Sequence, residues 1–185
     1  MRLPSSVPYL LAALLGLSAY FIARPALEGM VARTAVSINH DLIGQRRPDF
    51  SLADFAGRPI SIGQYDGQVV LINFWASWCP PCRKEIPEFI NVYNLYHDEG
   101  FEIVGIAIDD KQDAEEFIGK IPGLSYPQLI GFDDAIEVAK QFGNKTGGLP
   151  YSVLIGRQGI IRAIRAGPLN QEELIGWIEP LLPIK

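Results

Sequence analysis

This chain is poor in the side chains that hold metals: its 185 residues include only two cysteines and two histidines. A structural zinc site takes about four ligands, usually from a second Cys-x-x-Cys or a closely spaced His pair. His40 and His97 lie far apart and neither stands at ligand spacing. Covalent haem reads Cys-x-x-Cys-His, but Arg83 follows Cys82 here, which removes that pattern. Neither a metal nor a cofactor is expected. No internal repeat or low-complexity stretch breaks the chain.

Charge is missing in two places. From residue 48 onward 11 Lys/Arg face 19 Asp/Glu, a net charge of −8. A domain this acidic is a poor partner for nucleic acid or anionic lipid, and no nucleic-acid role is expected. Residues 3–23 carry no charge at all. At about 1.5 Å per residue such a stretch spans roughly 30 Å, the hydrocarbon thickness of a bilayer. A cleaved signal peptide is the competing reading. The apolar run exceeds the usual h-region of about 7 to 15 residues, and no clean Ala-x-Ala site follows it. Residues 1–23 are therefore expected to be an uncleaved single-pass anchor, contacting the bilayer through residues 3–23. Residues 24–46 are expected to be a linker and residues 47–185 one domain with its own core.

The two cysteines occur as Trp78-Cys79-Pro80-Pro81-Cys82, directly after the apolar run Val69–Trp75. Such a run suits a strand buried on both faces. Two thiols one helical turn apart can form a disulfide, and at a helix start the first of them is favoured as thiolate. A purely structural disulfide would close a loop of only two residues and stabilise less than a long-range bridge. The spacing points to redox chemistry, with stapling as the alternative.

Pro80 and Pro81 fit the first turn of a helix running to about His97 and ended by Gly100. Residues 101–108 read as a second buried strand and residues 110–121 as a helix. Gln128–Ile130 is a short strand. A helix over residues 133–142, capped by Asp133 or Asp134, stops at Gly143. Residues 50–62 and 151–165 read as two hairpins, and Asn170-x-x-Glu173 as a capping box opening a last helix. The order gives an α/β fold, a mixed central sheet with helices on both faces.

This arrangement resembles the thioredoxin fold and, more narrowly, the membrane-anchored TlpA/ResA-type thiol-disulfide oxidoreductases. The likeness is carried by Pro48-Asp49-Phe50 with Leu52, residues 70–78, Cys79-Pro80-Pro81-Cys82-Arg83-Lys84-Glu85-Ile86-Pro87, and Gly148-Leu149-Pro150. It implies that Cys79 is the exposed nucleophile and Cys82 the resolving thiol. It also implies that Pro150 is a cis-proline facing them, with Leu149 offering backbone groups to a partner strand. Trp78, Pro80 and Pro81 would join that partner surface, while Trp75 packs in the core. Where thioredoxin has a buried aspartate this chain has Asn73. Glu85 matches a glutamate of the ResA-type subgroup and is expected to be partly buried and to move protons for the cysteine pair. The competing reading is an ordinary first-turn glutamate. Arg83 and Lys84 are expected on a solvated helix face.

The resemblance implies an extracytoplasmic, periplasm-facing enzyme on the cell's inner membrane. It would reduce disulfides of exported client proteins, with electrons from a membrane thiol transporter, and cytochrome c maturation is one setting. That maturation subgroup often has Gly-Val-Pro-Glu where this chain has Gly148-Leu149-Pro150-Tyr151. The lone peroxidatic cysteine of peroxiredoxins, in Pro-x-x-x-Thr-x-x-Cys, has no match. A different class, a Cu(I)-handling module of this fold, usually adds a later histidine. None follows His97, although two thiolates alone can hold Cu(I).

Overall fold

The computed structural model describes residues 40–183. The expected anchor, residues 1–23, lies outside the described residues, as does the expected linker up to residue 39. Among the described residues no helix is long and apolar enough to cross a membrane.

The two apolar runs form the centre of one seven-stranded sheet. β3 (Val69–Trp75) and β4 (Phe101–Ala107) are buried at every position and pair in parallel, from Val69 opposite Phe101 to Trp75 opposite Ala107. β6 (Tyr151–Ile155) runs antiparallel to β3, with Asn73 opposite Ser152, and β7 (Ile161–Ala166) completes the expected hairpin. On the other side β5 (Gln128–Ile130) joins β4 in parallel. The first hairpin, β1 (Ser51–Asp54) and β2 (Pro59–Ser61), adds at that edge through β5. The order β2-β1-β5-β4-β3-β6-β7 makes the expected mixed sheet.

Alternation along the central strands divides the core in two. Leu71, Ile103 and Trp75 pack with Cys79, with Cys82, Ile86 and Phe89 of the first helix, α1 (Pro80–Tyr96), and with Leu174 and Ile178 of the last. Ile72, Phe74, Val104 and Ile106 face the other way, toward Ala135, Val138 and Phe142. α2 (Lys111–Ile118) follows β4, α3 (Asp133–Gln141) follows β5, and α4 (Gln171–Ile178) ends the fold. Beyond α1 the chain makes one 3-10 turn and breaks at Gly100, whose φ of 86° is the left-handed region where a side chain is strained.

The last helix opens on the expected capping box: Asn170 accepts from the Glu173 amide at 2.9 Å, and Glu173 accepts from the Asn170 amide at 3.3 Å. At α3 the expectation fails. Phe132 occupies the cap position with no side-chain bond, while Asp133 and Asp134 lie inside the first turn. There they act only through the helix dipole. The final residues assigned to the linker are paired with the sheet. Gly44 donates to the Ile161 carbonyl at 2.8 Å, the Ile161 amide donates back to Gln45 at 2.9 Å, and Arg46 bridges Ile160.

Candidate active site

The cysteine pair sits where β3 hands over to α1. Cys79 is the N-cap residue and Pro80 and Pro81 fill the first turn, where absent amide donors cost nothing. The pair is joined as a disulfide with an S–S distance of 2.05 Å and a Cα–Cα distance of 5.3 Å. The Cys79 sulfur accepts the Cys82 amide at 3.3 Å, the first amide donor that the Pro80-Pro81 start leaves to the helix, at its positive end. The expectation of an exposed Cys79 needs correction. Cys79 is 3% exposed and Cys82 0%. Cys79 remains the more open of the two, but capping turns its side chain back over the first turn rather than out to solvent. Beside it Trp78 is 63% exposed, the largest opening among the exposed bulky apolar side chains.

Pro150 precedes β6, the strand beside β3. The Leu149-Pro150 peptide is cis. The pair Phe74–Tyr151 places Pro150 one step further along, at the level of Trp75, where β3 ends. Leu149 packs against the same core as both cysteines. Its loop is tied down by Asn144, which donates to the Gly148 carbonyl at 2.9 Å. Downstream, the Tyr151 hydroxyl donates to the Phe142 carbonyl at 3.0 Å.

Glu85 lies one turn beyond Cys82 and is buried, as is Asn73. One carboxylate oxygen accepts from Asn73 Nδ2 at 2.8 Å, the other from the Leu169 amide at 3.1 Å. Burial pushes the Glu85 carboxyl up to about 7; the two donors oppose this and nearby Glu88 adds to it. Glu85 also lines a cavity of about 440 Å³ with Pro80, Pro81, Lys84, Glu88 and Leu169. A carboxyl that changes charge near neutral pH can give and take protons under working conditions. An ordinary first-turn glutamate would be solvated, and this one is not.

The AhpC/TSA family model matches residues 43–164. The thiol-disulfide oxidoreductase ResA of Geobacillus thermodenitrificans is 32% identical over 152 residues, covering 82% of each chain. ResA of Bacillus anthracis is 30% identical over 141 residues, 76% of this chain and 79% of that one. The chain belongs to the AhpC/TSA family, among thiol-disulfide oxidoreductases of the ResA type. Solved structures agree on a thioredoxin-like fold. The thioredoxin domain of a thiol-disulfide oxidoreductase from Bacteroides vulgatus superposes with a TM-score of 0.67 at 27% identity, over 76% of this chain and 98% of that one. A thiol:disulfide interchange protein of Chlorobium tepidum gives 0.66 at 27% identity, over 74% and 94%.

This ResA-type site contains groups that sequence reasoning missed. Asp109, two residues past β4, is buried; its carboxylate accepts the Ser77 amide at 2.6 Å and the Asp110 amide at 2.9 Å. It thereby holds the loop that carries Trp78 and Cys79. An acid closing an apolar strand at the carboxyl edge of a parallel sheet was the available signal. Trp75 Nε1 donates to Gln128 Oε1 at 2.9 Å, joining β3 to β5 across Gly105. Arg83 and Lys84 are exposed, as expected, and the Arg83 guanidinium also lies 5.3 Å from the Phe117 ring centroid, with Phe117 5.5 Å from Trp75. Among the described residues no group of three or more His, Cys, Asp or Glu is placed to hold a metal ion. Nothing at the site favours the Cu(I) reading over thiol-disulfide exchange.

Proposed function

We propose that this enzyme reduces disulfides of exported client proteins, with Cys79 attacking and Cys82 resolving. The observation that carries the reading is the Cys79–Cys82 disulfide at the start of α1, next to exposed Trp78 in a chain whose Leu149-Pro150 peptide is cis. In the reduced enzyme the Cys79 thiolate attacks one sulfur of a client disulfide. The client S–S bond breaks, a mixed disulfide forms, and the first client thiolate leaves and takes up a proton. Cys82 then passes its proton to the Glu85 carboxylate and attacks the Cys79 sulfur. The mixed disulfide breaks, the enzyme disulfide closes, and the second client thiolate is protonated. Two electrons move from enzyme to client, and a reduced thiol partner must return them.

Trp78, Pro80, Pro81 and Leu149 line the approach, and Leu149 offers backbone groups to an extended client segment. The uncharged stretch 3–23 supports a single-pass anchor that holds the domain on the extracytoplasmic face of the inner membrane, where a membrane thiol transporter is a suitable electron source. Apocytochrome c, whose Cys-x-x-Cys pair must be reduced before haem attachment, is a fitting client.

The test is the reduction potential of the couple together with trapping on Cys82→Ser. A potential near about −270 mV supports a reductant and one near about −120 mV an oxidant. Mixed disulfides recovered at Cys79 identify the clients. If none form and the oxidised pair resists reduction, the disulfide is structural and the proposal falls.

A further inference from the structure

We infer that Asn73 is a positioning residue that holds the Glu85 carboxylate as an anion, and so governs when the cysteine pair can hand over its proton. The inference rests on the proton-transfer reading of Glu85 given above and extends it to β3 and β6.

The geometry is one-sided. Asn73 is fully buried in the middle of β3, and its Nδ2 spends one hydrogen on Glu85 Oε1 at 2.8 Å and the other on Ser152 Oγ at 3.1 Å. Among the described residues its buried Oδ1 meets no hydrogen-bond partner. Turning the amide over would set Oδ1 against a carboxylate oxygen, acceptor to acceptor, and strand two donors instead of one acceptor. The orientation is therefore the one that suits an ionised Glu85. Ser152, directly across the β3–β6 pair, engages the second hydrogen and keeps the amide in that plane.

Both carboxylate oxygens thus meet a donor, Asn73 on one and the Leu169 amide on the other. An arriving proton must take a lone pair that neither donor uses. The other groups about Glu85 are few. Its own helix supplies Glu88, which raises the carboxyl, and Lys84 on the wall of the shared cavity. Tyr126 is close enough to feel the Glu85 charge. β3 and β6 face it with the neutral Asn73 and Ser152, and the 168–170 loop brings no charged side chain. Among the described residues Asn73 is thus the one side chain that donates to Glu85, and its loss disfavours the anion.

The experiment follows the Glu85 side-chain carboxyl by 13C NMR against pH in the full-length chain in detergent micelles, assigned with Glu85→Gln, alongside the pH profile of thiol reactivity. Asn73→Ala should raise the Glu85 midpoint by about 1 pH unit, the worth of one hydrogen bond to a charged group. Asn73→Asp, nearly the same shape, should raise it further, because two adjacent carboxylates share a proton. Ser152→Ala should give a smaller rise than Asn73→Ala. A midpoint unmoved in both Asn73 variants overturns the inference, even where thiol reactivity still tracks Glu85. Midpoints that move while the thiol profile stays put uphold the hold of Asn73 on Glu85 and sink the proton-transfer reading instead. Should Asn73→Ala not fold, Asn73→Asp and Ser152→Ala decide.

Discussion

Ser77 and Asp109 are joined across the carboxyl edge of the sheet: the Ser77 amide donates to Asp109 Oδ2 at 2.6 Å, although the two stand 32 positions apart in the chain. This bond fixes the loop on which Trp78 and Cys79 stand. Asp109→Ala leaves two part-buried backbone amides without their acceptor. It should cost about 2 to 3 kcal/mol in urea unfolding and slow the reaction of the reduced enzyme with a small disulfide. Asp109→Asn, which keeps one acceptor oxygen, should recover part of both losses. Equal stability of Asp109→Ala and the parent chain would remove Asp109 from this role.

Glu85 makes the oxidised protein's stability depend on pH with a definite sign. Its folded pKa, about 7, lies above the unfolded value of 4.5. Between these values the folded state binds more protons than the unfolded one. Its contribution is therefore complete below about pH 4.5 and is lost as pH rises through about 7. The loss is on the order of 3 kcal/mol across the window. Glu85→Gln should flatten this component, and the stability difference between the two proteins, measured from pH 4 to 8, isolates it from the other carboxylates. A constant difference across that range contradicts the assignment.

Gln128 and Gly105 should behave as a coupled pair. A Cβ at position 105 would collide with the Gln128 carboxamide, which is held in place by Trp75 Nε1. Gly105→Ala should displace that carboxamide and cost about 1 to 3 kcal/mol, as should Gln128→Ala, each by unpairing the buried indole N–H. The double variant should cost less than the sum, since both remove one bond. Strict additivity in a double-mutant cycle counts against the coupling.

A Trp78→Ala variant tests recognition apart from folding. It is 63% exposed, so Trp78→Ala should change stability by less than about 0.5 kcal/mol. Exchange with a protein disulfide should slow by about tenfold or more, as for an aromatic contact worth about 1.4 kcal/mol. Exchange with a small disulfide should change much less. An equal slowing for both substrates would assign Trp78 to the chemistry rather than to the client surface.

Much of this fold can be read along the chain because its signals are local. Continuous apolar runs mark β3 and β4, Pro80-Pro81 marks the helix start, Gly100 its end, and Asn170 with Glu173 caps α4. The Cys79–Cys82 pair is equally legible, since its reach is set by three residues of helix. The α3 cap misled because Asp133 and Asp134 suit a cap and a first turn alike, and only the path of the chain from β5 chooses between them.

By itself, then, the sequence determined the redox pair, the buried strands and the helix that presents the cysteines, all from spacing and period within a few residues. Tertiary structure decided what surrounds them. Glu85 meets Asn73 12 residues away and the Leu169 amide 84 residues away, and Ser77 meets Asp109, only once β3 lies between β4 and β6. The covering of Cys79 and the raising of Glu85 to about 7 arise in the same way. Desolvation depends on the elements that pack around a group, and no local pattern encodes which distant element will arrive.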